Sequence, residues 1–201
     1  MKFKTAILDL GVNNLKSLTS FFNIFGKSTL IENLDNIQNN YDLLVIPGNG
    51  NFGKGIKALK RKKIEKKLLA YSRNNKVLGI CLGMQILFDS SEEDKSEKGF
   101  GIVKGNVVKI KSSIYKLPLL GWYDVNLDFE NYSSSKSFFF NNSFSVEPID
   151  ISTIKGYIPN EKNNKIVAVT KFQNFYGLQF HPEKSSINGK NLVLKIFNNE
   201  I

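Results

Sequence analysis

The chain has 201 residues, of which 41% are hydrophobic, and this length suits one domain with a substantial core. It contains no apolar run of about 18 residues that could cross a membrane. Its single cysteine excludes an intramolecular disulfide, and one cysteine with one histidine cannot assemble a zinc site of the usual ligand types. We therefore expect one cytoplasmic domain, 1–201, with no metal, no cofactor and no membrane partner.

The net charge of +10 would suit a partner made of nucleic acid or an acidic protein surface. Lysines supply nearly all of the positive charge and are spread along the chain, which indicates biased composition instead. In the densest cluster, KALKRKKIEKKLLAY (57–71), apolar residues recur at helical spacing. This pattern predicts one amphipathic helix with solvated lysines and no nucleic-acid partner. Nucleic-acid binding is an alternative that only the charge supports, and it predicts an affinity that falls steeply with salt.

The first half of the chain alternates between strand and helix patterns. Three short apolar runs have the composition of buried strands: TAILDLG (5–11), YDLLVIPG (41–48) and KVLGI (76–80). Between the first two, the leucines and phenylalanines of NNLKSLTSFFNIFG (13–26) share one helical face, and Gly26 suits a helix stop. The lysine-rich helix precedes KVLGI, and a short helix follows from Leu82. This order predicts an α/β fold with an open, mostly parallel sheet between helices.

After Gly99 the pattern changes to short β-rich segments separated by Gly, Asn, Ser or Pro. These segments predict hairpins and strands that either extend the same sheet or form a small second sheet. A closing helix is expected over about 188–198, where leucine, isoleucine and phenylalanine recur.

The only cysteine lies in GICLG (79–83), which has the form G-x-nucleophile-x-G after a strand and before a helix. At such a turn the backbones approach too closely for side chains at the glycine positions, and the nucleophile is exposed above the sheet. The helix N-terminus favours a thiolate at Cys81, and the amide of Leu82 is placed to donate to an oxyanion. A lone cysteine is more often a buried structural residue, but the glycines and the strand favour a nucleophile here.

The only histidine lies in YGLQFHPEKS (176–185), where His181 leaves a predicted strand and Pro182 stiffens the turn. A thiolate that attacks an amide needs a group that passes a proton to the departing nitrogen, and histidine serves this purpose near neutral pH. Glu183 is placed to orient the imidazole and stabilise its cation. The three letters H-P-E are a weak signal alone, and a loop histidine is the ordinary alternative. The combination of Cys81 and His181 is a much stronger signal of a catalytic pair.

A glycine-rich loop, VIPGNGNFGKG (45–55), follows the second predicted strand. It lacks the pattern G-x-x-x-x-G-K-[ST] of a phosphate-binding loop. A more economical role is a mobile backbone segment that supplies a second N–H to an oxyanion.

PGNGNFG, GICLGMQ and GLQFHPE, in this order, resemble the motifs of the class I (triad-type) glutamine amidotransferases, which have a flavodoxin-like fold. The resemblance covers nearly the whole chain and is specific because it needs all three motifs. Within the family, ILDLGVNNLKS, GMQILFDSSEE, GNVVKI and LLGWYDV are most similar to the glutaminase subunits of imidazole glycerol phosphate synthase.

The resemblance implies a role for each matching residue. Cys81 would be the nucleophile, His181 the acid and base, and Glu183 its orienting partner. The remaining positions fall into three groups: an oxyanion hole at Leu82, Asn49 and Gly50; a glutamine site at Gly48, Gln85, Glu93 and Ser143; and a partner-facing surface at Asn14, Trp122 and Lys184.

The implied reaction is the hydrolysis of L-glutamine through a cysteinyl thioester. The ammonia would pass through a tunnel to a (β/α)8-barrel cyclase subunit, as a heterodimer, in histidine biosynthesis. The implied acceptor is a phosphoribulosyl nucleotide.

Three segments depart from the family's pattern. Asn49 replaces the valine of P-G-V-G, PLLGWY (118–123) replaces P-H-M-G-W-N, and NSF (142–144) replaces H-S-Y. These changes leave the three triad residues in place and affect the docking surface, so an alternative keeps the glutaminase and changes the partner. In that alternative, the chain supplies ammonia for an acetamidino or amino sugar of a surface polysaccharide. A further alternative is a stress-response or peptide-hydrolysing cysteine protein of the same sandwich architecture, which would lack the QFHPE placement.

Overall fold

The computed structural model describes residues 2–11, 15–35, 37, 40–129, 132–161 and 164–201. In these ranges no helix is both long and apolar enough to cross a bilayer. The elements, in chain order, are β1 (Phe3–Leu8), α1 (Leu15–Asn23), β2 (Gly26–Ile31), β3 (Leu43–Ile46), α2 (Phe52–Arg61), α3 (Ile64–Ser72), β4 (Lys76–Ile80), α4 (Leu82–Gln85), β5 (Ser90–Ser91), β6 (Gly105–Lys109), β7 (Leu119–Phe129), β8 (Tyr132–Asn142), β9 (Phe144–Pro148), β10 (Ile154–Pro159), β11 (Lys165–Phe172), β12 (Phe175–Leu178) and α5 (Ser186–Phe197).

The main sheet of the described chain has nine strands in the order β2-β1-β3-β4-β12-β11-β10-β7-β8. The first five strands in this order are mutually parallel, and the pairs from β12 to β8 are antiparallel. The predicted α/β fold with an open, largely parallel sheet is therefore confirmed. Both outcomes expected for the second half occur. Strands β7, β8, β10, β11 and β12 extend the main sheet, whereas β5, β6 and β9 form a separate three-stranded sheet.

The core lies on both faces of the main sheet. Consecutive residues of β3 belong to opposite clusters, with Leu43 and Val45 on the face of α1 and α5 and Leu44 and Ile46 on the face of α2, α3 and α4. All four residues are fully buried. A central parallel strand that is covered on both faces reads as a continuous apolar run, which explains the strand pattern of LLVI.

The prediction of one continuous lysine-rich helix is wrong. The segment forms α2 and α3, and the helix is interrupted at Lys63, whose backbone is left-handed with φ 50° and ψ 39°. A single helix from Phe52 to Ser72 would extend about 30 Å, whereas β1, β3 and β4 have four to six residues and extend about 13–20 Å. The break lets the apolar residues of both helices pack on the same short strands. Lys62 joins the break to the sheet by donating to the carbonyls of Asp9 and Glu32 at 3.0 and 2.7 Å.

Gly26 begins a strand, so its expected role as a helix stop is also wrong. The sequence pattern did not indicate β2, an edge strand whose residues are exposed or partly exposed. A Cβ atom at Gly26 would lie 2.1 Å from the carbonyl oxygen of Phe3 on the neighbouring strand. Glycine is therefore needed because β1 and β2 approach closely at this point.

The β7–β8 hairpin packs against the segment that follows β12. Eleven residue pairs join its two strands, from Leu119 with Asn142 to Phe129 with Tyr132. The ring of Phe138 stacks on Phe180 with the centroids 4.1 Å apart. The backbone of Phe139 accepts a hydrogen bond from the N–H of His181 at 2.9 Å. The hairpin therefore fixes the backbone of the chain's only histidine.

We expect Gly79→Ala to lower the free energy of unfolding by about 1–3 kcal/mol, the usual cost of forcing extra volume into a packed core. A Cβ atom at Gly79 would lie 2.4 Å from the carbonyl oxygen of Gly83, and neither backbone can move freely. Urea unfolding followed by circular dichroism measures the change.

Gly55→Ala is the matched control. Its Cβ would meet the tip of the Leu82 side chain at 2.9 Å, which can turn away. Alanine also favours a helix over glycine by about 1 kcal/mol. Equal losses in the two variants would contradict the proposed backbone clash.

Candidate active site

Cys81 occupies the sharp turn between β4 and α4. Its backbone has φ 53° and ψ −112°, a region that a residue with a side chain enters only under strain. Its N–H donates to the carbonyl of Leu178 at 2.7 Å, and its carbonyl accepts from the N–H groups of Met84 and Gln85. A Cβ atom at Gly83 would lie 1.9 Å from the carbonyl oxygen of Ile46. The glycines of GICLG therefore stand where backbones meet, as the sequence pattern predicts.

His181 lies just beyond β12, at the start of a short 3-10 turn, Pro182–Lys184. Its side chain is 3% exposed, and its Nδ1 lies 2.9 Å from Oε1 of Glu183. The side chain of Cys81 also lies close enough to the imidazole to act on its charge. The structure thus brings the three predicted triad residues together, with the imidazole between the thiol and the carboxylate.

Two opposing effects act on the charge of His181. Burial disfavours the imidazolium and lowers the pKa, whereas the hydrogen bonds and charges of Cys81 and Glu183 favour it. The partners prevail and raise the pKa of His181 from 6.5 to about 9. At neutral pH the imidazole therefore carries a proton that it can pass to a departing group.

A pocket of about 380 Å³ opens over Cys81, within the range of about 300–1,000 Å³ that is typical of small-molecule sites. Its wall contains eight residues singled out in the sequence: Asn49, Gly50, Cys81, Leu82, Gln85, Glu93, Ser143 and Lys184. The other lining residues are Pro118, Asn141, Asn142 and Phe144. The predicted oxyanion residues and three of the four predicted glutamine-site residues therefore converge on one pocket from separate parts of the chain. Gly48, His181 and Glu183 are not among its lining residues.

The glycine-rich loop packs on the start of α4. Gly48 is buried, and a Cβ atom there would lie 2.3 Å from the backbone nitrogen of Gly83. Gly50 has φ 119°, and a Cβ atom there would meet nothing within 4 Å, so glycine is needed for the backbone angle rather than for space. Leu82 is the first residue of α4, where an N–H has no acceptor within the helix. Gly50 of the loop and Leu82 of α4 thus both bring backbone to the wall of the pocket.

Glu93 connects the pocket wall to this loop. Its Oε2 accepts a hydrogen bond from the backbone N–H of Phe52, the first residue of α2, at 2.7 Å. Asn51 caps the same helix by accepting from the N–H of Gly53 at 3.0 Å. Glu93 therefore supports the position of the glycine-rich loop as well as lining the pocket.

The expected partner-facing residues Trp122 and Lys184 share one aromatic neighbour. Trp122 is 52% exposed and makes an edge contact with Phe139, with the centroids 6.3 Å apart. Nζ of Lys184 lies 5.4 Å from the centroid of the same Phe139 ring. The two residues thus form a surface cluster beside the pocket. The third expected residue, Asn14, lies outside the described residues.

Sequence reasoning missed Gln179 and Asn142. Gln179 is fully buried, and its Nε2 lies 3.7 Å from Sγ of Cys81. A usable signal existed, because residues two apart in a strand project to the same side and Gln179 precedes His181 by two. Asn142 lines the pocket, and its Oδ1 is buried with no hydrogen-bond partner among the described residues. It stands in the NSF segment, where the departure from the family's pattern drew attention to the partner rather than to the pocket.

Residues 3–200 match the family described as Glutamine amidotransferase class-I. The chain is 36% identical to the imidazole glycerol phosphate synthase subunit HisH of Prochlorococcus marinus, over 96% of this chain and 93% of that protein. It is also 36% identical to the subunit of the same name from Methanocaldococcus jannaschii, over 93% and 95%.

Solved structures show the same fold at lower identity. The structure titled PurLQS from Thermotoga maritima has a TM-score of 0.75 at 22% identity and covers the full length of both chains. A structure titled glutamine amidotransferase has a TM-score of 0.74 at 12% identity and covers 97% of each chain. These likenesses support the mixed, largely parallel sheet.

The imidazole signal of His181 should titrate near pH 9 in an NMR experiment, and the chain's single histidine makes its assignment unambiguous. Because the folded-state pKa is above the unfolded value of about 6.5, protonated His181 stabilises the fold fully below that value. This contribution is lost as the pH rises through about 9.

Glu183→Gln keeps the shape of the side chain but removes its charge, so it should lower the midpoint of this titration. Glu161→Gln removes a carboxylate that bonds to Ser113 instead, and it serves as the charge-matched control. A midpoint that is equal in Glu183→Gln and in the unmodified protein would show that Glu183 does not stabilise the imidazolium.

Proposed function

Because the chain belongs to the class I glutamine amidotransferase family, we propose that it is the glutaminase subunit of imidazole glycerol phosphate synthase. It hydrolyses L-glutamine and delivers ammonia to a cyclase subunit. The observation that carries this proposal is the buried imidazole of His181, which bonds to Glu183 and acts together with Cys81, a residue of the pocket wall. The names of the relatives at 36% identity support the pathway.

The proposed reaction begins when the thiolate of Cys81 attacks the carboxamide carbon of glutamine. The carbonyl oxygen becomes an oxyanion, which the N–H of Leu82 and the loop at Asn49 and Gly50 stabilise. The imidazolium of His181 gives its proton to the nitrogen as the C–N bond breaks, so that ammonia leaves and a glutamyl thioester remains. Water then attacks the thioester, with His181 as the base, and releases glutamate and the thiolate.

The pocket offers groups for both ends of glutamine. The carboxylate of Glu93 supplies a negative charge for the α-ammonium group, while Gln85 and Ser143 add further polar groups to the pocket wall. Gly48, the fourth residue of the predicted glutamine site, is buried behind the wall against the backbone of Gly83. The orphan Oδ1 of Asn142 adds a buried acceptor in the same pocket. Buried acceptors without a partner favour ligands with N–H groups, which glutamine has at both ends.

The proposed partner is a (β/α)8-barrel cyclase that docks as a heterodimer on the cluster of Trp122, Phe139 and Lys184. An exposed tryptophan and a nearby lysine are suited to an interface centre and its rim. The alternative partner, an enzyme that aminates a surface sugar, rests on the sequence departures at PLLGWY (118–123) and NSF (142–144). In the structure, Pro118 and residues 142–144 line the pocket. We propose one glutaminase domain over 1–201, without a cofactor, in the cytoplasm, where a reducing environment keeps a free thiol available.

In the complex with its cyclase, Cys81→Ala should abolish glutamine-dependent turnover and leave ammonia-dependent turnover intact. Added ammonia bypasses the glutaminase, whereas glutamine hydrolysis needs the thiolate. Steady-state assays with each nitrogen source measure the difference. Thr170→Val, a change at a buried polar residue outside the pocket wall, is the control and should keep both activities.

Loss of both activities in Cys81→Ala would assign Cys81 a structural role. A glutamine-mimicking diazo-ketone should also add to Cys81, as the intact mass of the chain would show. An unlabelled wild-type chain would contradict the amidotransferase chemistry. Turnover with the barrel of a sugar-aminating enzyme, but not with a histidine-pathway cyclase, would assign the chain to the alternative partner.

Without its partner, the chain should hydrolyse glutamine at least about 100-fold more slowly than the complex does. The loss of one oxyanion donor costs about 10²–10³ in kcat, and Gly50 lies at the exposed rim with space around it. A coupled assay for glutamate, with and without the cyclase, gives the ratio. Equal rates would show that the loop is already set for catalysis in the free chain.

A further inference from the structure

We propose that Gln179 is a positioning residue that joins the thiolate of Cys81 to the wall of the glutamine site through one buried side-chain amide. The inference rests on the proposed glutaminase function and adds a residue to its machinery. Gln179 is fully buried and follows directly after β12. Its backbone continues the pairing of β12 with β11, because its N–H donates to the carbonyl of Ala168 at 2.9 Å.

Both ends of the Gln179 amide are engaged. Its Nε2 donates to Sγ of Cys81 at 3.7 Å, and its Oε1 accepts from Nε2 of Gln85 at 3.1 Å. Nε2 of Gln85 also donates to the carbonyl of Phe144 at 3.3 Å. A continuous chain of hydrogen bonds therefore runs from the sulfur to the backbone beside Ser143.

The hydrogen-bond network determines the positions of the nitrogen and the oxygen in the side-chain amides of Gln85 and Gln179. The carbonyl of Phe144 can only accept, so Gln85 must present its nitrogen to it. The same carbonyl accepts from Nδ2 of Asn142 at 2.9 Å, which satisfies its second lone pair. Because Nε2 of Gln85 is the donor, Gln179 must accept this hydrogen bond with its Oε1. Its Nε2 therefore faces Cys81. A thiolate accepts and does not donate, so this orientation is complementary to the charged form of Cys81.

The arrangement has two consequences for the reaction. An N–H that points at a buried thiolate stabilises the negative charge and limits the rotation of the side chain. The other end of the same amide holds Gln85, which lines the glutamine pocket. The nucleophile and the substrate wall are thereby held by one side chain, whose amide donates a hydrogen bond to the sulfur.

Gln179→Glu and Gln179→Leu separate these two effects. Gln179→Glu keeps an acceptor for Gln85 but replaces the donor to the sulfur with a carboxylate. Gln179→Leu removes both groups at similar volume. In the complex with the cyclase, both variants should lower kcat/KM for glutamine by about 10–100-fold, the usual effect of losing a hydrogen bond to a charged group. Only Gln179→Leu should also raise KM several-fold.

The decisive measurement is the rate of alkylation of Cys81 by iodoacetamide as a function of pH. The chain has a single cysteine, so its intact mass reports on this site alone. In both variants the pH of half-maximal rate should move upward, since the thiolate loses a donor. Thr170→Val controls for a general disturbance of the buried sheet and should leave the midpoint unchanged.

Three outcomes decide the proposal. An upward shift in Gln179→Glu, with ammonia-dependent turnover intact, supports it even if Gln179→Leu fails to fold. An unchanged midpoint overturns it, whether kcat/KM stays within twofold of the wild type or falls, because a purely structural role would not move the midpoint. Absence of both labelling and glutamine hydrolysis in the wild-type complex overturns the glutaminase function itself, and so is distinct from a failure at Gln179.

Discussion

In the parallel pair of β4 and β12, Ile80 is in register with Leu178, and the N–H of Cys81 donates to the carbonyl of Leu178 at 2.7 Å. Cys81 follows the first strand directly, and His181 is the third residue after the second strand. The carboxyl ends of neighbouring parallel strands lie at the same edge of a sheet, where open α/β folds place their ligands. This register brings together two residues that are one hundred positions apart. A slip by one residue would turn the side chains of β12 to the other face and separate the pair.

The register alone does not fix the imidazole, and the β7–β8 hairpin supplies what is missing. The carbonyl of Phe139 accepts from the N–H of His181, and the N–H of Phe139 donates to Oγ of Ser185. The same hydroxyl donates to the carbonyl of His181 at 2.6 Å. With the backbone held on both sides, Glu183 is placed within 2.9 Å of Nδ1. Burial would otherwise remove the charge of the imidazole, so the fixed position of its two partners decides its protonation.

The features that the sequence predicted are local or carried by short motifs. The glycines around Cys81, the apolar run LLVI and the β-rich second half each indicate their structure within a few residues. Features set by distant contacts were missed or misread. The break at Lys63 depends on the length of the strands beneath it, and β2 pairs with β1 although its own pattern is weakly apolar. Periodicity within a segment carries no information about the size of the surface on which the segment packs.

The same distinction applies within the site. Cys81 and His181 can be singled out because each occurs once and sits in a recognisable turn. Gln179 and Asn142 are ordinary polar residues in sequence, and only their burial shows that their amides must find partners. The helix dipole expected at Cys81 is smaller than the sequence suggests, because α4 has only four residues. In the structure, Gln179 donates a hydrogen bond to the sulfur, and His181 interacts with it electrostatically.

Separate parts of the chain support the two halves of the site, and they differ in how firmly they are held. The imidazole half is buried and bonded through the Phe139 backbone, and the Phe139 ring contacts Trp122 and Lys184 at the surface. The oxyanion half ends in Asn49 and Gly50, which are exposed at the pocket rim, and Gly50 has a φ of 119°. A barrel that docks on Trp122 and Lys184 would meet a base that is already oriented. The part of the site with room to change is therefore the glycine-rich loop, which is where dependence on a partner has a physical basis.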